Sequence, residues 1–247
     1  MADYKVHNGS PLGFGAVITP IGVNFSIYSR DASAVSLVLF ESENDEKPSN
    51  IIPLDPVLNR TGDVWHLLIE GIGAGTLYLY KVDGPYVPPK GLRFNKYKYL
   101  LDPYAKAFTK GSVFRCYNKQ HEVGFAANEG GELQDLSDFP KCVVVDDSFD
   151  WEGDRPLGIP ISESVIYETH VKGFTASKTS EIAPEIAGTY KGFIQKIDYL
   201  KELGITAVEL LPMFEFDENE NGNLNPKTGQ RLVNYWGYST IGFFAPK

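Results

Sequence analysis

The sequence predicts a chain of mixed class, with an antiparallel β-sandwich first and a parallel strand–helix–strand unit after it. Two observations lead to this prediction. The apolar pattern has period two between about residues 10 and 110, and a helical period appears after Ser164. Short alternating runs separated by turns are typical of half-buried antiparallel strands. We therefore divide the sequence into a sandwich, residues 1–110, a connecting segment, residues 111–160, and an α/β part, residues 161–247.

Four alternating runs define the predicted sandwich. Apolar or aromatic side chains take every second position in these runs, at Val23, Phe25, Ile27; Val35, Leu37, Leu39; Trp65, Leu67, Ile69; and Tyr78, Tyr80, Val82. Glycine-containing turn sequences separate several of the runs. Trp65 takes a core position in this alternation, and binding of a sugar at the surface is the alternative role for its ring.

The α/β part begins with a predicted strand at Val165–Val171. A helix is predicted from Thr189 to Leu203, because one helical face carries Phe193, Ile197, Leu200 and Leu203. Gly204 stands where a left-handed C-terminal cap is expected. The apolar run Ile205–Leu211 is typical of a strand that is buried on both faces of a parallel sheet. Strand, helix and strand together predict a right-handed βαβ unit.

Composition narrows the classes of function. The 247 residues carry a formal net charge of −9, which argues against a nucleic-acid partner because a duplex binder presents a basic face. Cys116 and Cys142 are the only cysteines and provide no disulfide framework or zinc cluster, although one bridge between them stays open. No apolar signal segment opens the chain and no run of about 18 apolar residues follows. We expect a soluble, cytoplasmic protein that does not bind a membrane.

Several segments in collinear order resemble one enzyme family. They are Gly22–Phe25, Val82–Pro85, Val165–Phe174, Gly188–Gly192, Gly204–Pro212 and, the most specific, Asn234-Tyr-Trp-Gly-Tyr238. The chain resembles glycogen-debranching enzymes and isoamylases of the α-amylase superfamily of glycoside hydrolases. The resemblance implies an immunoglobulin-like module of the glycogen-binding type (carbohydrate-binding module family 48), followed by the start of a (β/α)₈ TIM barrel that ends after its second strand.

The resemblance also implies which residues bind substrate. The active site of such a barrel lies at the C-terminal ends of its strands, and the loop after the second strand brings the aromatic segment there. Tyr238 would stack on the sugar at the cleavage point, with a packing role as the alternative. Tyr235 and Trp236 would shape the loop or contact the glucan. His170 would be a hydrogen-bonded residue of the barrel interior or a substrate contact.

No catalytic residue is nominated. The family uses a retaining mechanism with a pair of carboxylates about 5–5.5 Å apart, and its catalytic Asp, Glu and Asp follow strands 4, 5 and 7. We expect a parent enzyme that hydrolyses α-1,6 linkages of glycogen or a related glucan, and an inactive 247-residue chain. A non-catalytic glucan-binding or truncated protein is the alternative. Within the enzyme class, a maltooligosaccharide-active hydrolase or a transferase stays open.

No cofactor is expected. The loop after the second strand carries Glu215, Asp217, Glu218 and Glu220, which we interpret as solvated acidic residues. Calcium is the alternative there, but the spacing does not match an EF-hand. The expected partners are an α-glucan, such as glycogen or starch-like oligosaccharides, and the rest of the barrel in a longer chain.

Overall fold

The computed structural model describes residues 4–116 and 136–247, so residues 117–135 of the predicted connecting segment lie outside the described residues. Two compact units make up the chain. The first unit contains residues 1–147, 214–235 and 239–247, and the second contains residues 148–213 and 236–238. The domain boundaries at residues 110 and 160 stay predictions.

Two antiparallel sheets form the body of the first unit. One sheet contains β1 (Val6–His7), β2 (Gly15–Thr19), β3 (Gly22–Tyr28), β6 (Arg60–Thr61) and β7 (Val64–Glu70), in the order β1-β7-β3-β2 with β6 paired to β7. The other contains β4 (Ala34–Phe40), β5 (Asn50–Pro53), β8 (Leu77–Asp83) and β11 (Cys142–Val143), in the order β11-β8-β4-β5. Two further pairs are β9 (Tyr86–Val87) with β10 (Leu92–Arg93), and β14 (Phe214–Phe216) with β15 (Thr240–Pro246). The predicted antiparallel sandwich is confirmed.

Aromatic side chains join the two sheets across the core. Phe25 on β3 meets Tyr78 on β8 edge to face, with ring centroids 5.0 Å apart. Trp65 on β7 is fully buried, and its indole nitrogen donates to the Ser29 carbonyl at 3.1 Å. Buried indole nitrogens need such a partner. Trp65 is therefore a core residue, as its place in the alternation predicts.

The polar positions of β3 are buried as well. Asn24 and Ser26 alternate with the apolar residues, a pattern that is typical of a strand with one solvated face. Asn24 instead exchanges two hydrogen bonds with the Ser10 backbone, and the Ser26 hydroxyl donates to the Pro11 carbonyl at 3.2 Å. The segment before β2 covers this face, so side chains of β3 are buried on both faces.

The second unit contains a parallel βαβ arrangement. Its helices are α1 (Val171–Thr175), α2 (Tyr190–Ile194) and α3 (Ile197–Glu202), and its strands are β12 (Ile166–Thr169) and β13 (Ala207–Leu210). The strands pair in parallel, from Ile166 with Ala207 to Thr169 with Leu210. Gly204 follows α3 with a φ of +84°, the left-handed conformation that glycine adopts without strain. The predicted strand–helix–strand unit and its glycine cap are confirmed.

The single helix predicted from Thr189 to Leu203 is wrong in one respect, because two short helices replace it. Thr189 caps α2, as its hydroxyl accepts from the Gly192 backbone nitrogen at 3.3 Å. Between α2 and α3, the backbone nitrogen of Lys196 donates to the Phe193 carbonyl, only three residues back. This tightening of the turn interrupts the regular helix.

Burial of the βαβ unit is lower than the apolar pattern predicts. Leu200 is buried, but Ile197 and Leu203 are 45% and 53% exposed, so the predicted core face is wrong at these two positions. Val208 on β13 is 39% exposed, although a strand buried on both faces was predicted. Among the described residues β13 pairs only with β12, and helices do not cover both of its faces.

A buried polar cluster lies within the sandwich. The Asp102 carboxylate accepts hydrogen bonds from the Tyr78 hydroxyl and the Tyr104 backbone nitrogen, both at 2.8 Å, and its backbone nitrogen donates to the Cys142 sulfur at 3.2 Å. Burial raises the pKa of Asp102 to about 6, against the opposing effect of these hydrogen bonds. The Tyr80 hydroxyl is buried and has no hydrogen-bond partner among the described residues.

We predict that Asp102→Asn removes a pH-dependent loss of stability. A carboxyl whose pKa is higher in the folded state stabilises the fold at low pH, and this contribution is lost as the pH rises from about 4 to about 6. Two pKa units correspond to about 3 kcal/mol. Urea unfolding at pH 4 and pH 7 measures the change, with the exposed Asp31→Asn as the matched control. If Asp102→Asn and the unmodified chain differed in stability by the same amount at both pH values, the raised pKa of Asp102 would be contradicted.

Candidate functional site

Exposed aromatic rings mark the segment that follows the long loop. Tyr235 is 43% exposed, Trp236 54% and Tyr238 69%. Tyr235 belongs to the first unit, whereas Trp236 and Tyr238 belong to the second. Flat, exposed rings of this kind can cover the apolar face of a sugar. Binding of substrate by these three residues stays a prediction.

His170 lies directly after β12, where the parallel strands end. Thr169 pairs with Leu210, and the Leu211 backbone nitrogen donates to the Thr169 carbonyl at 2.9 Å, so β12 and β13 end at the same edge. The His170 side chain caps α1, because its Nδ1 accepts from the Gly173 backbone nitrogen at 3.0 Å. This bond fixes the ring orientation at the carboxyl edge of the two strands.

Within the second unit, the structure brings two of the nominated residues together. The rings of His170 and Trp236 meet edge to face, with centroids 5.8 Å apart and an interplanar angle of 84°. Trp236 therefore lies at the same strand edge as His170. A barrel of this class has its active site at that edge.

Tyr190 makes a hydrogen bond within the second unit that the periodicity of α2 does not predict. Its hydroxyl donates to the Met213 carbonyl at 3.0 Å, which ties the chain after β13 to the first turn of α2. The sequence indicates only that an aromatic residue stands at this position. The hydrogen bond could not be predicted, because its acceptor is a backbone atom 23 residues away.

In the first unit, Asp217 is buried rather than solvated, so the interpretation of a solvated acidic loop is wrong at this position. Its carboxylate accepts from the Ser112 hydroxyl, at 2.7 Å to Oδ2 and 3.0 Å to Oδ1, and from the Phe114 backbone nitrogen at 3.0 Å. The Asn219 backbone nitrogen donates to it at 2.9 Å. Burial of the carboxyl acts to raise its pKa, but the donors from Phe114, Asn219 and Ser112 prevail and lower the pKa.

The other carboxylates of this loop also have partners within the protein. Glu215 pairs with Lys247 at 2.9 Å, and Glu220 accepts from the Asn234 side-chain nitrogen at 2.6 Å. Glu218 is exposed and lies 4.0 Å from the Lys247 nitrogen. In residues 4–116 and 136–247, no group of three or more His, Cys, Asp or Glu side chains is arranged to hold a metal ion.

The described part of the chain contains no helix with the length and apolar character that a bilayer span needs.

Comparison with known proteins agrees with the fold. Residues 13–105 match the carbohydrate-binding module 48 family (isoamylase N-terminal domain), and residues 166–236 match the α-amylase catalytic domain family. The chain thus combines a carbohydrate-binding module with the beginning of an α-amylase-type barrel.

Two relatives and one solved structure are similar to nearly the whole chain. The chain is 40% identical over 247 residues to isoamylase 1, chloroplastic, of Arabidopsis thaliana, covering 98% of this chain and 30% of the relative. It is 39% identical over 247 residues to the glycogen debranching enzyme of Yersinia enterocolitica, covering 96% and 34%. A solved product complex of the pneumococcal glycogen-degrading virulence factor SpuA has a TM-score of 0.65 at 25% identity, covering 95% and 23%.

Along almost its whole length the chain is similar to isoamylases and glycogen debranching enzymes. It spans about a third or less of the length of the relatives it matches.

We predict that His170→Ala weakens the start of α1. The substitution removes the side-chain acceptor of the Gly173 amide, and loss of an N-cap costs about 1 kcal/mol. The Gly173 amide should then exchange its hydrogen about fivefold faster. His170→Asn should restore most of the protection, because an Asn side chain is also a preferred cap. Equal exchange in the Ala and Asn variants would contradict the capping role.

Proposed function

We propose that this chain supplies the glucan-binding surface of an α-glucan debranching hydrolase that acts on α-1,6-glucosidic linkages. The observation that carries the proposal is the contact between His170 and Trp236 at the carboxyl edge of β12 and β13. The relatives support it, since they are an isoamylase and a glycogen debranching enzyme. The proposed substrate is glycogen or a starch-like oligosaccharide.

The proposed roles follow from the chemistry of each side chain. Tyr238 is the most exposed of the three rings and is proposed to stack on the glucose at the cleavage point. Trp236 and Tyr235 are each proposed to contact the glucan or to shape the loop. His170, held by the cap of α1, would present its ring to the substrate from the strand edge.

The chemical step is proposed to lie with residues beyond this chain. Retaining hydrolysis needs a nucleophilic carboxylate and an acid carboxyl about 5–5.5 Å apart. The family resemblance places these groups after strands 4, 5 and 7, whereas β12 and β13 correspond to strands 1 and 2. The chain would therefore position the substrate, and the rest of the barrel, its proposed partner, would cleave the bond.

The cytoplasm is the proposed location of the protein.

A non-catalytic glucan-binding protein is the second candidate, and the match of residues 13–105 to a carbohydrate-binding module favours it. The codons that follow Lys247 in the gene distinguish the two candidates. A continuing reading frame with the three carboxylates supports the hydrolase. A stop codon supports the binding protein.

We predict that the purified 247-residue chain releases no reducing sugar from glycogen or pullulan, whereas a polypeptide that adds the rest of the barrel does. The reason is that the shorter chain lacks the proposed catalytic pair. A reducing-sugar assay compares the two proteins, and expression from a host without amylolytic enzymes is the control. Reproducible turnover by the 247-residue chain would refute this division of roles.

We predict that Tyr238→Ala in the longer polypeptide lowers kcat/KM on branched glucan about ten- to a hundredfold. Loss of a stacked aromatic contact costs about 1.5–3 kcal/mol, and about 1.4 kcal/mol is a tenfold change in rate. Tyr238→Phe keeps the ring and should have a mild effect.

Equal damage from the Phe and Ala variants would indicate a hydrogen-bonding role for the Tyr238 hydroxyl instead. A kcat/KM within twofold of the unmodified enzyme, with only a lower melting temperature, would show that Tyr238 is a packing residue.

A further inference from the structure

Asp217 and the turn that follows it form the base of the long loop. The turn is a single 3₁₀ turn at Glu218–Glu220, and the Asp217 side chain caps it through the Asn219 backbone nitrogen. The carboxylate also accepts from the Asn219 side-chain nitrogen at 3.3 Å, and from Ser112 and Phe114, which lie more than 100 residues earlier in the chain. The turn is therefore attached to the body of the first unit by a buried, charge-assisted set of hydrogen bonds.

The same turn holds Asn234, where the loop returns. The Asn234 backbone nitrogen donates to the Glu218 carbonyl at 3.0 Å, and its side-chain nitrogen donates to Glu220 Oε1 at 2.6 Å. Two bonds to one residue fix both its position and its orientation. Asn234 immediately precedes Tyr235, the first ring of the aromatic segment.

The loop between these two points is held together by its own backbone. The Leu232 backbone nitrogen donates to the Asn223 carbonyl at 2.9 Å, and the Asn225 backbone nitrogen donates to the Gln230 carbonyl at 2.8 Å. Most residues from 222 to 233 are exposed. Within the first unit, the contacts at Asp217, Glu218 and Glu220 therefore hold the base of an otherwise solvated loop.

We propose that Asp217 and Glu220 are positioning residues for Tyr235, the ring with which the aromatic segment begins. They fix the chain at Asn234, so that the Tyr235 ring is ordered before the glucan binds. The inference rests on the proposed function, since it assigns these residues to the binding of an α-glucan. Ordering in advance lowers the entropy lost on binding and so improves affinity.

Glu220 allows the cleaner test, because its side chain is only partly buried and its removal leaves the Asp217 bonds intact. Glu220→Ala deletes the acceptor of the Asn234 side chain, and Glu220→Gln keeps an oxygen acceptor of the same reach. Glu218→Gln is the matched control in the same turn, as it changes an exposed side chain and leaves the carbonyl that Asn234 uses. Asp217→Ala tests the buried end of the same connection.

The first measurement is hydrogen exchange at residues 233–238 of the 247-residue chain. Glu220→Ala and Asp217→Ala should raise the exchange rate of the Asn234 amide at least about tenfold. Glu220→Gln and Glu218→Gln should leave it within about twofold. Unchanged exchange in both Ala variants would overturn the positioning role.

The second measurement is steady-state kinetics of the longer polypeptide on branched glucan. Glu220→Ala should raise KM about three- to tenfold with kcat within about twofold, and Glu220→Gln should restore KM. A purely structural role would instead lower the amount of active enzyme and leave KM unchanged. Faster exchange together with an unchanged KM would overturn the inference. If the unmodified polypeptide cleaves no branched glucan, the proposed function and the assignment to glucan both fail, while the exchange result still decides whether Asp217 and Glu220 anchor the loop.

Discussion

Packing of the inner faces of the two sheets is the constraint on which the first unit depends. Phe25 and Tyr78 meet across the sheets, and Trp65 is enclosed between them. Close packing of large rings leaves little freedom for the strands to shift register, because a shift of one residue would turn these rings to the opposite face. The core thus provides a rigid support for segments that are distant in sequence. Phe244 on β15, for example, stacks on Tyr104 at 5.1 Å.

Two buried carboxylates of the first unit show how surroundings decide charge. For Asp102 the cost of burial outweighs its two hydrogen bonds, and its pKa rises to about 6. Asp217 is also enclosed, but its donors include two backbone nitrogens and a hydroxyl that contacts both oxygens, and its pKa is lowered. The first carboxylate weakens the fold when ionised, whereas the second stabilises it in the ionised form. An ionised Asp217 suits a residue that connects the long loop to the sandwich.

In the second unit, the parallel pairing of β12 with β13 determines where the candidate binding residues lie. Parallel strands end at one edge, and His170 and Trp236 are found there. In the same unit the side chains of Val208, Ile197 and Leu203 are apolar and exposed. The binding role proposed for His170 and Trp236 rests on this arrangement at the strand edge.

The sequence by itself determined the elements whose signals are local. The alternation of β3, β7 and β8 and the glycine cap after α3 were predictable from neighbouring residues. The role of the aromatic segment at Tyr235–Tyr238 comes from the family resemblance and stays a proposal. Tertiary structure decided what depends on partners far along the chain. Ser10 and Pro11 bind the polar side chains of β3, and Ser112 contacts Asp217 across 105 residues. Periodicity reports which side chains are apolar, but a buried polar side chain is recognised only when its hydrogen-bond partner is known, and that partner is set by the fold.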